Sequence, residues 1–365
     1  MKITKVRAVS YKVQNVMTGW KTSLGGHDTH ELVFVRIDTD EKNFGVGIAS
    51  PGAIYISGDT TANQLELINH VLGPAVVGWD PFDLEAVIRR LDSLVKTGTR
   101  AKAGIDLALH DLLGKAQGIP ANRLFGGVVN ARIRVIRLMG MFPPKEMAER
   151  SRELVQRGYT ALKLKAGTTL KEDVERVQRV REAVGPDVIL TVDFNQACSP
   201  KEAIQCIRKM EAYDIAIVEQ PVNESDLEGM AFVRRSVQAR VMADESAKSP
   251  ADALRIIDSG AADVISLKIP KMGGILKARK VAAVCEAAGI EYLVGTAPGS
   301  RLLDAANVHL AASLRELKLP CEIGEFERMA NDPCTGLEIE QGFSSPPKAP
   351  GLGVQVDLAK IGLAN

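Results

Sequence analysis

Cysteine is scarce and unpatterned in this chain: Cys198, Cys206, Cys285, Cys321 and Cys334 are an odd number without CxxC spacing. That argues against a disulfide framework and against a thiolate metal site. Charge of one sign is lacking too. The 46 basic and 45 acidic residues leave a formal charge of +1 and form no block, so neither a nucleic-acid groove nor a membrane-binding patch is indicated. No apolar run approaches membrane-spanning length, and Met1-Lys-Ile-Thr-Lys-Val-Arg7 lacks the apolar core of a signal peptide. A soluble enzyme of a reducing cytoplasm is the expectation. His27, His30, His70, His110 and His309 are scattered, and none ends a candidate barrel strand, so core or surface roles are expected for each.

What is present fills 365 residues and 39.3 kDa, room for two domains or for one barrel with an appendage. Up to Gly127 the pattern is α+β. Ile3 to Val13 and Glu31 to Asp38 read as antiparallel strands, and Gly45 to Ala49 pairs back across the turn Thr39-Asp-Glu-Lys-Asn43. Helical patterns follow at 61–72, 82–96 and 100–117, the last with Ile105, Leu109, Leu112 and Leu113 as its apolar stripe. From 128 to 335 strands and helices alternate. Strands are predicted at Ile133–Leu138, Ala161–Lys165, Val188–Asp193, Ile215–Glu219, Val241–Asp244, Val264–Lys268, Tyr292–Thr296 and Cys321–Phe326. Eight strands with helices between them predict an α/β fold, a parallel TIM-like barrel whose site forms at the C-terminal strand ends. An open doubly wound sheet is the runner-up, without a glycine-rich fingerprint to support it. The tail, 336–365, is expected to pack back on the 1–127 capping domain.

Five charged residues mark equivalent ends of five consecutive units. Lys165, Asp193, Glu219, Asp244 and Lys268 follow one another at steps of 28, 26, 25 and 24, the length of a strand, a helix and two loops. Side chains alternate across a strand, so Lys163 and Lys165 share a face against Leu162 and Leu164, as Thr191, Asp193 and Asn195 do against Leu190, Val192 and Phe194. The apolar parity packs on helices; the charged parity points into the barrel mouth. Three converging carboxylates would repel and desolvate at high cost unless a cation bound them. With no histidine or cysteine among them, Asp193, Glu219 and Asp244 suit Mg²⁺ or Mn²⁺. Lys165 and Lys268 stand four strands apart, hence across the mouth from each other, placed to exchange a proton with either face of one carbon. A lone Asp or Lys at a strand end is ordinarily a cap or a surface ion pair. Five in one register and one parity are a site.

Other residues carry two readings each. Lys163 is either catalytic support or an ion pair with Asp193, and Asn195 either orients a lysine or caps the following loop. Gly273-Gly274 permits a tight loop, with a phosphate nest as the weaker alternative. Met17, Trp20, Ile54 and Tyr55 point to a partly apolar substrate tail or to core packing. A Schiff-base lyase built on Lys165 or Lys268, and a non-catalytic binding relative, are the readings from other classes.

Lys163-Leu-Lys165, Asp193-Phe-Asn195, Glu219-Gln-Pro221, Asp244-Glu-Ser246 and Lys268-Ile-Pro-Lys-Met-Gly-Gly274 closely resemble the enolase superfamily, and more narrowly the muconate lactonizing enzyme (muconate cycloisomerase) subgroup. The resemblance covers nearly the whole chain, including the Pro350-Gly-Leu-Gly353 tail. It implies a modified (β/α)₇β barrel under an N-terminal cap whose loops near 15–30 and 50–59 close over substrate. It implies Mg²⁺ on Asp193, Glu219 and Asp244, Lys165 and Lys268 as acid–base pair, a small carboxylate substrate and a homo-oligomer. The implied activity is isomerisation, as cycloisomerase or as racemase/epimerase, through an enediolate; a dehydratase sharing that half-reaction is the alternative. A late barrel histidine, as in the mandelate racemase subgroup, is replaced by Gly295-Thr296-Ala-Pro298. Dipeptide epimerases resemble one another in an Asp-x-Asp on strand eight that holds the substrate ammonium. Here Cys321-Glu-Ile-Gly-Glu325 departs from it, which argues against dipeptides and leaves Glu322 alone to meet a cation.

Overall fold

A computed structural model describes residues 1–17, 19–26, 28–51 and 58–364. The N-terminal part is an antiparallel sheet on a helix. Its strands β1 (Ile3–Asn15), β2 (Thr29–Thr39) and β3 (Phe44–Ala49) pair in order, with Val6 opposite Ile37 and Val35 opposite Gly47. The helix Thr99–Gln117 lies against β3 because Gly45 and Gly47 carry no side chain. A Cβ there would come within 2.0 Å of Ala108 O and 2.1 Å of Gly104 O. The expected one-sided stripe is a partial description of this helix. Everything from Arg100 to Gly114 is buried, since the cap sheet covers one side and the barrel the other. The 61–72 pattern is α-helical over Thr61–Glu66 and π-helical over Leu67–Leu72.

The barrel strands follow: β4 (Ile133–Met139), β5 (Ala161–Lys165), β6 (Ile189–Asp193), β7 (Ile215–Glu219), β8 (Arg240–Ala243), β9 (Val264–Leu267), β10 (Glu291–Val294) and β11 (Cys321–Glu322). They form one parallel sheet in the order β10-β9-β8-β7-β6-β5-β4-β11. Between β10 and β11 no backbone ladder is drawn among the described residues, but Thr296 N donates to Glu322 Oε2 at 3.0 Å, so the barrel is nearly closed. Seven full helices connect the eight strands among the described residues, and none follows β11 before the chain leaves the barrel, a (β/α)₇β arrangement. The expected last strand, Cys321–Phe326, stops at Glu322. Gly324 takes φ 104° and the chain turns into a 3₁₀ helix, Glu325–Arg328.

Two cores sort as the alternation requires. The large outer core packs the apolar parity of the strands, such as Leu162, Leu164, Leu190 and Val192, on the helices. Inside the barrel, Ile217, Met242, Val264 and Leu293 form a small apolar plug of the same parity as Glu219, Asp244, Lys268 and Gly295. The charged ends therefore rest on an apolar floor. After the 3₁₀ turn the chain returns to the cap: β12 (Met329–Ala330) pairs with β1, and Asp111 of the cap helix accepts from Val46 N at 2.8 Å and from Leu352 N at 2.9 Å. No helix among the described residues is long and apolar enough to cross a membrane.

Candidate active site

Parallel pairing sets the first layer of the site. Lys165 is in register with Asp193 and Asp193 with Glu219, while Asp244 and Lys268 stand just beyond the ends of β8 and β9. Asp193 and Glu219 are fully buried and Asp244 nearly so. Lys165 Nζ reaches Asp193 Oδ2 at 2.5 Å and donates to Asn195 Oδ1 at 2.9 Å. Asn195 Nδ2 in turn donates to Glu245 Oε1 at 3.1 Å, so Asn195 holds a lysine rather than capping a loop. Across the mouth Lys268 pairs with Asp244 and stands 3.6 Å from Glu219 Oε1. The order of strands puts β5 and β9 four apart, with the strands of the three carboxylates between them.

The carboxylates are joined by ammonium groups. Lys163 bridges Asp193, at 3.1 Å, and Glu219, at 2.5 Å, and also pairs with Glu322. Lys268 bridges Glu219 and Asp244. Among the described residues no three acidic, histidine or cysteine groups are gathered tightly enough to cage an ion directly, because these ammoniums stand between them. The donor set nonetheless fits a hard divalent cation. It offers three buried carboxylates on adjacent strands, and Glu219 Oε1 is buried without a hydrogen-bond partner.

The electrostatics show how much positive charge the cluster demands. Burial alone would push Asp193 up, but Lys165, Lys163 and Lys268 outweigh it and hold the carboxyl below its usual range. Glu219 goes the other way, raised well above that range first by burial and then by Asp193. Burial works to lower the Lys268 ammonium, yet Asp244, Glu322 and Glu219 overcome it and hold it above an ordinary lysine. A divalent ion among these carboxylates acts on the lysines in the opposite sense.

The cap closes the mouth. Ser23 Oγ donates to Phe194 O at 3.1 Å, Met141 N to Lys21 O at 2.8 Å and Ser50 Oγ to Pro298 O at 2.8 Å. Trp20 and Thr296 line the cavity beneath it, with Lys163, Lys165 and Lys268. Tyr55, Ile54 and His27 lie outside the described residues. Met17 does not join the others; it lines a separate groove with Arg137 and Leu154. Glu322 is corrected as well. It is 1% exposed, inside the barrel, bonded to Lys163 and Thr296 N, and so is not offered to a substrate cation.

Several groups at the site escaped the sequence reading. Lys271 donates to Asp244 Oδ1 at 2.6 Å and to Ser266 O at 3.3 Å. The chain turns helical at Ile269–Met272, which brings a residue three after Lys268 to the same side, and that spacing was available as a signal. Glu325 and Arg328, also three apart, form a buried pair that lines the cavity. His30 lines it too, instead of taking the core or surface role expected.

Comparison with known proteins agrees with this geometry. A family model for the N-terminal domain of mandelate racemase/muconate lactonizing enzymes matches residues 5–126, and one for enolase C-terminal domain-like proteins matches 146–360. The hydrophobic dipeptide epimerase of Enterococcus faecalis is 39% identical over 87% of this chain and 88% of its own. Its crystal structure, complexed with Mg and the dipeptide L-Leu-L-Tyr, superposes with a TM-score of 0.93 at 35% identity, covering 97% of this chain and 100% of that one. The N-succinyl-L-Arg/Lys racemase of Bacillus cereus is 31% identical over 93% of this chain and 96% of its own. Its structure gives a TM-score of 0.96 at 30% identity, covering 99% and 97%. Muconate cycloisomerase 1 of Pseudomonas putida is 30% identical over 93% and 92% of the two chains.

Proposed function

The chain belongs to the mandelate racemase/muconate lactonizing enzyme family and is an isomerase of the enolase superfamily, and from that premise we propose that it racemises or epimerises an N-acyl amino-acid carboxylate. The observation that carries this reading is the placement of Lys165 and Lys268 on strands four apart, flanking three buried carboxylates. One Nζ takes the α-proton from one face of the carbon, and the other returns a proton to the opposite face. A lysine on each face is what inversion of a stereocentre requires; lactone formation or elimination needs only one.

We assign Asp193, Glu219 and Asp244 as ligands of Mg²⁺, with Mn²⁺ as its substitute. When bound, the ion supplies the positive charge that favours charge building on the substrate carboxylate as the α-proton leaves. Asn195 holds the Lys165 ammonium, Lys163 ties Glu219 to the barrel interior, and the cap loop carrying Trp20 excludes water. We place the domain boundary between the 1–127 cap, with the 336–365 tail, and the 128–335 barrel. We expect a cytoplasmic homo-oligomer.

Incubating the enzyme with Mg²⁺ and N-acyl amino acids in D₂O tests the reaction class. Loss of optical rotation with deuterium appearing at the α-carbon is expected, and EDTA should abolish both. No exchange and no inversion of N-acyl amino acids, together with lactone formation from an unsaturated dicarboxylate or loss of water from a β-hydroxy carboxylate, would replace the proposal with a cycloisomerase or a dehydratase.

A further inference from the structure

The cavity has a second polar end, away from the carboxylates. Strands β4 and β11 are neighbours and lie across the barrel from β7 and β8, which carry Glu219 and Asp244. Where they meet the cap, Arg328 lies over the Trp20 ring, 3.8 Å from its centroid, and pairs through one Nη with Glu325. Trp20 is itself seated on Gly140, just past β4, where a Cβ would come within 2.9 Å of the indole. Arg328 and Glu325 are each 2% exposed and both line the cavity.

Hydrogen-bond accounting shows what this end is built to meet. Among the described residues that line this end, Arg328 Nε, Arg328 Nη1 and Trp20 Nε1 are buried donors without an acceptor, against one unpartnered acceptor, Glu325 Oε1; Asp304 Oδ1 lies behind Glu325, outside the lining, and Glu245 Oε2 is unpartnered at the opposite end of the cavity. Buried polar groups of a folded protein are nearly always partnered, so three orphaned donors lining one cavity point to an absent acceptor. The indole face fixes the guanidinium plane, and the unpartnered Nε–H and Nη1–H, on either side of the Nη2 that meets Glu325, are preset as donors to an anion. A substrate whose α-carboxylate faces Asp193, Glu219 and Asp244 directs its far end toward β4 and β11.

We infer that Arg328 and Trp20 form a specificity subsite for a second carboxylate, at the end of the substrate remote from the reacting carbon. This rests on the racemase reading for the orientation of the substrate. The carboxylate is carried either on the N-acyl tail or on the amino-acid side chain. A tail ending in an ammonium group, drawn to Glu325, is the competing occupant; Glu325 is already paired with Arg328, and donors there outnumber acceptors.

Calorimetric binding to the Mg²⁺-loaded enzyme tests the inference without turnover. N-succinyl-L-leucine is compared with N-(4-methylpentanoyl)-L-leucine, which replaces the tail carboxylate by an isopropyl group of like shape. N-acetyl-L-glutamate against N-acetyl-L-glutamine reads a side-chain carboxylate, and L-Ala-L-Leu reads an ammonium tail. In the wild type one acid should bind about 30-fold tighter than its neutral partner, the scale of hydrogen bonds to a charged group. Which pair shows the preference tells which end carries the carboxylate. Arg328→Met should reduce that ratio to about threefold or less, and Arg328→Lys should keep part of it. The wild-type comparison stands even if Arg328→Met fails to fold. Equal binding within both pairs, no binding by any probe, tighter binding of L-Ala-L-Leu, or a preference that survives in folded Arg328→Met would each overturn the subsite. Failure of the racemase reading shows separately, as absence of α-proton exchange in D₂O.

Discussion

On one side of the barrel mouth, β5 to β9 place Lys165, Asp193, Glu219, Asp244 and Lys268 at the ends of five consecutive strands. On the other side, between β11 and β4, Trp20 comes from a cap loop and Glu325 and Arg328 from a 3₁₀ turn. The first side repeats one unit and pairs each of these five charges with a neighbour, leaving Glu219 Oε1 as an open acceptor. The second is built once, from irregular backbone, and keeps donors unpaired. The proposed proton transfer and metal binding use the regular side, where rigid strands fix geometry. The irregular side is free to differ between relatives that isomerise different substrates.

Perturbing the two sides should separate these duties. The largest effect is expected from Asp193→Asn. It removes one of three carboxylates and should cut turnover by at least about 10³-fold, with an unchanged circular dichroism spectrum because the surrounding core is apolar. Near-normal turnover would dismantle the division at its regular side. Next comes Lys271→Ala. Lys271 touches Asp244 and Ser266 O but is not assigned to the proton transfer, so loss of its support should cost about 10–100-fold in Mg²⁺ affinity or activity. An unchanged Mg²⁺ titration would make Lys271 a bystander.

Across the mouth the response should be smaller and of another kind. Trp20→Leu should alter KM or substrate preference by roughly 10-fold while α-proton exchange persists at saturating substrate. Complete loss of exchange in the folded variant would place part of the chemistry in the cap.

The contrast also explains what could be read from sequence. Strand alternation has a period of two and the barrel unit one of about 25 residues, so Lys165, Asp193, Glu219, Asp244 and Lys268 announce themselves by spacing and parity. Lys271, Glu325 and Arg328 point where they do because the chain leaves strand geometry, at Ile269 and at Gly324 with φ 104°; the barrel repeat does not mark that change, and the three-residue spacing of Lys268 and Lys271 is the one local signal of it. Glu322 was misjudged for a related reason. Its parity was legible, but not that the Lys163 ammonium reaches across the barrel to occupy it. The helix Thr99–Gln117 showed one apolar stripe because its second buried face, with Lys102, Asp106 and His110, is polar.

The smallest effect on turnover, and a separate one on stability, is expected from Asp304→Asn. Burial first, and then Glu325, pushes the Asp304 carboxyl from 3.8 to about 7. An acid raised in the folded state binds its proton more tightly there than in the unfolded chain, so the contribution of Asp304 to wild-type stability falls as pH rises from about 4 to about 7. Asparagine stays neutral and should gain on the order of 2–4 kcal/mol relative to wild type over that window, read from urea midpoints. A stability difference that does not move with pH would mean that Asp304 ionises normally. Turnover should scarcely change.

The claim that two opposed lysines serve one carbon is tested most directly by stereospecific α-proton exchange. Lys165→Ala and Lys268→Ala should each abolish net racemisation of a substrate the wild type inverts. In D₂O each should still exchange the α-proton of one enantiomer, and the two variants should retain opposite enantiomers, because each remaining Nζ reaches only its own face of the planar intermediate. Retention of the same enantiomer by both variants would contradict the opposed arrangement and leave a one-sided proton transfer.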